Sequence, residues 1–278
     1  MIGWTELWRY RQVVWILAVR DLKVRYRNSI LGFFWSFLNP LLQVLVYTIV
    51  FKYIMQSTEK NYSVKLFCAL MPWLFFSQSL QDAAGSIAQN VSLVKKVYFP
   101  RAVLPLSTLL SNLVHFLAGM AVLFAIFLVL PVHFMWGFLW LIPLVALQMM
   151  LSYGLGLVIA TASVFYNDIR YLLTTIISLG LFLSPVLYPV SKVMESAKLQ
   201  EWGHWAIIAK TAYMLNPMAP ILALYRSILL EGGVIPDTAI GTPFPFGFYL
   251  AVSGGVAVVA LAVGLAIFRH YEWMFPEQ

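Results

Sequence analysis

The sequence predicts an all-α polytopic membrane protein. It would form one domain over residues 1–278 with six transmembrane helices, an interfacial helix at the N-terminus and a re-entrant pair of short helices between spans five and six. Three observations predict this. Of the 278 residues, 62% are hydrophobic and only 10% are charged, against about a quarter charged in soluble domains. Several apolar runs exceed the roughly 18 residues that cross a hydrocarbon core about 30 Å thick. The bases that give the net charge of +7 collect in short segments between those runs, where they act as an orientation signal.

The first 28 residues contain an apolar run, Val13 to Val19, too short to span. Arg9 and Arg11 precede it, Arg20, Lys23, Arg25 and Arg27 follow it, and no small-residue cleavage pattern is present. It therefore reads as an uncleaved helix in the headgroup layer, anchored by Trp4, Trp8 and Trp15. The spans follow at about Ile30 to Phe51, Val64 to Ala84, Ala102 to Leu130, Phe134 to Phe165, Tyr171 to Tyr188 and Gly247 to Phe268, with a tight turn at Pro131 to His133.

Six spans put both termini on one side. Eleven bases fall there: six in the N-terminal segment, Lys95, Lys96 and Arg101 after the second span, and Arg170 and Arg269. Seven fall opposite, four of them spread through a long loop that counts little, so both termini are expected in the cytoplasm. In that loop, residues 189–246, the stretch Trp205 to Leu230 is apolar but cut by Lys210, Asn216-Pro217, Pro220 and Arg226. Two halves of about ten residues cannot span singly, and a broken pair that dips in and returns fits best; one kinked seventh span is the alternative. Near the end, Ala260 and Gly264 permit close helix packing, within the subunit or across a dimer.

The sequence argues against catalysis. No Gly-Lys dipeptide occurs, so there is no P-loop. His115, His133, His204 and His270 are scattered and Cys68 is the single cysteine, which argues against a metal centre. Asp82 and Asp168 lie near span ends rather than at mid-membrane, and His115, deep in the third span, reads as hydrogen-bonded within the bundle.

Three stretches remain, the first of them holding both bases and aromatics. Lys23, Arg25 and Arg27 can attract an anionic headgroup, or set topology alone. Phe33, Phe34, Trp35 and Phe37 offer apolar plates for the C–H faces of sugars, or form an interfacial belt. In the segment 85–101, Val91, Val94, Val97 and Tyr98 recur near helical spacing while Lys95 and Lys96 point elsewhere, and Phe99-Pro100 ends the helix. This is a surface helix that a partner could push, or a plain connector. In "FYNDIR", Asn167 or Asp168 can cap the fifth span.

Together, "RDLKVRYRNSILGFFWSFLNPLL" (20–42), "LVKKVYFPR" (93–101), "YNDIRY" (166–171) and "LNP" (215–217) resemble the permease subunit of type-2 ABC exporters, nearest the branch that exports O-antigen, capsule or teichoic acid. The resemblance implies a homodimer in the bacterial inner membrane, each subunit mated to a separate cytoplasmic ATPase that holds ATP and magnesium, with no cofactor in this chain and no nucleic-acid partner. The substrate would be a glycan on an undecaprenyl pyrophosphate carrier, O-antigen foremost, with capsule or teichoic acid as alternatives. In that frame Lys23, Arg25, Arg27, Lys95, Lys96 and Arg101 would meet the pyrophosphate, and Phe33, Phe34, Trp35, Phe37, Trp73 and Phe76 would line the channel. Asn90, Val91, Val94, Val97, Tyr98, Asn167, Asp168 and Arg170 would couple to the ATPase, and the broken segment would be periplasmic. An exporter of drugs or small lipids is a rival; a glycosyl- or acyltransferase would need carboxylate or histidine constellations that the chain lacks.

Overall fold

The computed structural model describes residues 8–56, 61–97, 99–129, 136–230 and 242–275; Trp4, Tyr98 and the Pro131 to His133 turn lie outside them. Regular structure among the described residues is helical throughout. Helix α1, Arg11–Arg25, buries Val14, Leu17 and Ala18 while Trp15 and Ile16, and Trp8 just ahead of the helix, stay exposed, the pattern of a helix that lies on a bundle and offers its indoles to a membrane surface.

Helix α2, Trp35–Thr48, is entered through a 3-10 turn at Gly32–Phe34 and continues through a π-helical stretch at Ile49–Ile54. Gly32 sits at φ +49°, a conformation that glycine takes without strain. The span Gly32–Ile54 is the least buried of the long helices. Helix α3, Tyr62–Ser86, is the most buried and packs against α2 and four later helices, so it is the central pillar. After the short α4, Val91–Lys96, come α5, Val103–Val129, and α6, Leu141–Phe165. Gln148 on α6, fully buried, donates to the Pro72 carbonyl of α3 at 2.7 Å.

The predicted fifth span, Tyr171 to Tyr188, departs from expectation. Helix α7 is Asp168–Leu183, sixteen residues or about 24 Å, and is the short member of the predicted six; five other helices are long and apolar enough to cross a membrane. It stops because Ser184 precedes Pro185, whose ring disfavours helical geometry at the residue before it; Ser184 is extended, at φ −113° and ψ 155°. Two short helices, α8 (Val190–Met194) and α9 (Ala197–Gln200), lead into the broken pair α10, His204–Leu215, and α11, Met218–Leu230, bent by 74° at Asn216-Pro217. Each is about 18–20 Å long and too short to span alone. Asn216 secures the break: its Oδ1 accepts from the Met218 N–H at 3.1 Å and its Nδ2 donates to Ser184 Oγ at 2.9 Å.

Non-helical backbone at membrane depth must find partners inside the protein. Arg226 on α11 supplies them, donating from Nε to the Lys65 carbonyl (3.1 Å), from Nη1 to that of Tyr188 (2.8 Å) and from Nη2 to that of Val186 (2.6 Å). The Tyr62 hydroxyl donates to Leu187 O at 2.8 Å. One guanidinium thus joins α3, the irregular 184–188 stretch and α11.

Helix α12, Phe246–Tyr271, makes its largest contact with α6. The small-residue stripe predicted near the end of the chain serves packing within the subunit: a Cβ on Gly154 would overlap the backbone of Ala260 and Leu261, and one on Gly264 would overlap the Gly154 carbonyl. Beyond α12, Glu272 Oε1 accepts from the Arg101 N–H at 2.7 Å, and the Arg101 guanidinium bonds the Glu272 carbonyl. Because α1 meets the adjoining segment through Arg20 and Asn90, the first and last described helices end at the same end of the bundle.

Candidate functional site: a polar groove between α2, α3 and α5

Beside α2 a cleft of about 530 Å³ runs from the end of α1 into the bundle. Three helices contribute polar side chains at helical spacing: Ser36, Asn39 and Gln43 from α2, Gln78 and Asp82 from α3, and Asn112 and His115 from α5. These offsets of three, four and seven residues put each set on one helix face. Trp35, Phe75 and Phe116 stand between them as apolar walls. From Asp82 to Met71, both in the lining, α3 rises roughly 16 Å, about half the hydrocarbon thickness.

One end of the groove is closed by a charged triad. Arg25 pairs with Asp82 at 2.5 Å and donates to Asn112 Oδ1 at 3.0 Å, while Asn112 Nδ2 donates to Asp82 Oδ2 at 2.7 Å. Further in, Ser36 Oγ and the Tyr26 hydroxyl lie 2.9 and 3.3 Å from His115 Nδ1, and 2.7 Å from each other. His115 is therefore hydrogen-bonded within the bundle as expected, and Phe33 stacks on its ring at 5.7 Å. The amides of Asn39, Gln43 and Gln78 differ. They make no hydrogen bond to any described residue, and Asn39 and Gln78 are exposed to the groove. Free amides cannot face hydrocarbon without a cost of several kcal/mol each, so the groove is suited to water or another polar partner.

The six expected phosphate ligands separate into two groups. Arg25 is engaged by Asp82 and Asn112, which takes both of its terminal nitrogens, whereas the Arg101 guanidinium makes a single bond, to the Glu272 carbonyl, and keeps its other donors. Lys23, Arg27, Lys95 and Lys96 are exposed and make no ion pair with a described residue. Lys23 and Arg27, with Arg20, line one shallow basic hollow on α1.

The expected channel aromatics also divide. Trp35 borders the groove, and Phe34 is more than half exposed. Phe33 and Phe37 instead form an edge-to-face cluster with Tyr26. Trp73 and Phe76 are largely buried within the subunit, with the Trp73 ring against Gly180 of α7, and border a separate apolar cleft of about 420 Å³ between α3, α6 and α7.

In the surface segment, α4 is shorter than expected because Val97 is already extended. Its inward residues are Asn90 and Val94, while Val91 and Val97 are exposed, a correction to the apolar face read from the valine spacing. Asn90 Oδ1 accepts from Arg20 at 2.7 Å and its Nδ2 donates to the Ser86 carbonyl at 2.8 Å. Asn167 occupies the N-cap of α7 without a side-chain cap bond, so the capping expected of it is absent; Asn167 and Asp168 are exposed, and Arg170 is half-buried. Sequence reading missed Arg20, Asn39, Gln43, Gln78 and Asn112. The stripe Ser36, Asn39, Gln43 was the available signal, hidden by the aromatics around it.

Comparison with known proteins agrees with this architecture. Residues 12–230 match the family model described as "ABC-2 type transporter". The chain is 32% identical over 273 residues to an O-antigen export system permease protein RfbA of Myxococcus xanthus, covering 98% of this chain and 97% of that one. It is 30% identical over 263 residues to an RfbA of Klebsiella pneumoniae (94% and 93% covered), and 24% identical over 263 residues to the polysialic acid transport protein KpsM of Escherichia coli (92% of each). With a family model spanning most of its length and export permeases alike along nearly all of it, the chain belongs to the ABC-2 type transporter family, as one of its membrane permeases.

Proposed function

We propose that this permease moves a polysaccharide carried on a polyprenyl pyrophosphate out across the bacterial inner membrane, driven by ATP hydrolysis in a separate cytoplasmic subunit, and that the polar groove is its half of the glycan path. The carrying observation is the row of free amides on Asn39, Gln43 and Gln78 at membrane depth. Amide donors and acceptors exchange readily with hydroxyls, and Trp35 and Phe116 give faces for ring C–H groups. Many weak contacts and no tight one are what conduction needs. A second copy of the chain closes the open side, both termini lie in the cytoplasm, and the α10–α11 pair re-enters from the periplasmic side. O-antigen is the favoured glycan class because the O-antigen permeases are the more similar relatives; capsule or teichoic acid is the second choice.

The test is a triple variant, Asn39→Leu, Gln43→Leu, Gln78→Leu, expressed in cells lacking the wild-type gene. Export of lipid-linked glycan should fall by at least about tenfold at normal protein level, with the intermediate accumulating on the cytoplasmic face. Unchanged export would remove the groove from the path.

Force from the ATPase enters through the Arg20–Asn90 bond, which ties α1 to the start of the surface helix, while Arg25 on the same helix holds the groove mouth. Asn90→Leu is expected to cut the glycan exported per ATP hydrolysed by about tenfold, the worth of one hydrogen bond to a charged group; Asn90→Asp, which keeps an acceptor, should retain most of it. Equal loss of hydrolysis and export in both variants would assign Asn90 to assembly instead.

A further inference from the structure

Where the polar groove adjoins the end of α1, a second cleft, also about 530 Å³, adjoins its start and is framed by α5, α6 and α12. Its character is opposite. Leu109 and Leu110, Met149 and Met150, and Leu261 form the walls. The Tyr153 hydroxyl, which could have made it polar, is committed to the Ala102 carbonyl at 3.0 Å. Its lining has one charged group, Arg11, accompanied by Trp15 of α1 and by Trp8 just before that helix. Along α6 from Ala146 to Tyr153 it extends roughly 10 Å.

A hollow of this composition does not hold water, and left empty it would forfeit dispersion contacts along its whole lining. It is cut into helices of spanning length, so hydrocarbon is the available filling. Arg11 supplies the charge complement. Its guanidinium rests over the Trp8 ring at 5.5 Å, and Nη1 donates to the Trp8 carbonyl at 3.3 Å, which engages one of five donors. Indoles that flank a cation at an apolar mouth match the level of lipid headgroups. Helix α1 otherwise packs chiefly on α5, so whatever fills the cleft also joins α1 to α6 and α12.

We propose that this cleft is a resident lipid site: one acyl chain of an anionic phospholipid lies against α5 and α6, and its phosphate sits on Arg11. The lipid completes the seating of α1, the helix that carries both Arg20 and Arg25.

The test uses the full chain purified in mild detergent and given equal amounts of palmitoyl-oleoyl phosphatidylglycerol and palmitoyl-oleoyl phosphatidylethanolamine, with retained lipid read by native mass spectrometry. Phosphatidylglycerol should be retained about fivefold over phosphatidylethanolamine, the worth of one base at an anionic surface. Arg11→Gln should abolish the preference and keep the binding; Ala146→Phe, which fills the cleft, should lower retention of both at least fivefold. A phosphatidylglycerol with a photoreactive acyl chain, used on the wild-type protein, should label Leu106 to Leu110 and Ala146 to Met150. Equal retention of the two lipids by wild type, or unchanged retention by Ala146→Phe, would overturn the proposal. If Ala146→Phe does not fold, the label decides: label spread evenly onto the exposed Val258 and Val259 of α12 means a bulk annulus and no site.

Discussion

Gly154→Leu should abolish accumulation of folded protein, while Gly180→Ala should be far milder. At Gly154 even a Cβ collides with the backbone of Ala260 and Leu261, and backbone cannot rotate away as a side chain can. Relieving the overlap means separating α6 from α12, the most extensive helix contact in the molecule. Overpacking against yielding side chains costs about 1–3 kcal/mol, and an unyielding neighbour takes the cost beyond that, into the range that exceeds ordinary reserves of stability. At Gly180 the obstacle is the edge of the Trp73 ring, a side chain that can shift. Detergent-solubilised yield and the melting midpoint on size-exclusion chromatography would check both; normal yield for Gly154→Leu would mean that the two helices are not in contact at Gly154.

Arg226→Met should be the second most damaging single change. The guanidinium donates to three carbonyls on two separate segments. Methionine keeps part of the volume and none of the donors, so the carbonyls of Lys65, Val186 and Tyr188 lose these partners. Hydrogen bonds to charged groups are worth about 1.5–3 kcal/mol each, and a stranded buried acceptor costs about 1–3 kcal/mol. A loss of several kcal/mol is expected, concentrated at that end of the bundle. Limited proteolysis should show cleavage within 184–203 well before α3 or α5 is cut. Arg226→Lys, which can reach only part of the ring of acceptors, should fall between the two.

Much of the fold was legible because hydrocarbon thickness is a simple constraint on apolar runs. The second, third and last spans start within two residues of their predicted positions, and helix α6 of the fourth begins seven residues after Phe134. The exception is α7, where the apolar run continued past Ser184 but Pro185 ended the helix. The charged N-terminal segment was legible as charge, yet its partners were not: Arg20 meets a residue 70 positions away and Arg25 residues 57 and 87 away. Such pairings depend on how helices cross, which local periodicity does not encode. Trp73 carries the same indole as Trp35, and only the neighbouring helix decides which ring is covered. The valines of the surface helix misled in the opposite sense, because six residues make fewer than two turns and the polar Asn90 takes the inward position through its bonds to Arg20 and Ser86.

The backbone-to-backbone seat at Gly154 and Gly264 has a mechanical consequence. Two rods in that register cannot slide without a steric jam, so α6 and α12 behave as a single stiff frame, and Gln148 fastens α3 to it. The compliance left for a transport cycle resides in α2, the long helix with the thinnest packing and with the softest backbone ladder at its π-helical end. Dilation of the conduit would then be a swing of one flank against a stationary wall, which breathes at the Ser36–His115 side and leaves the rest of the subunit undisturbed.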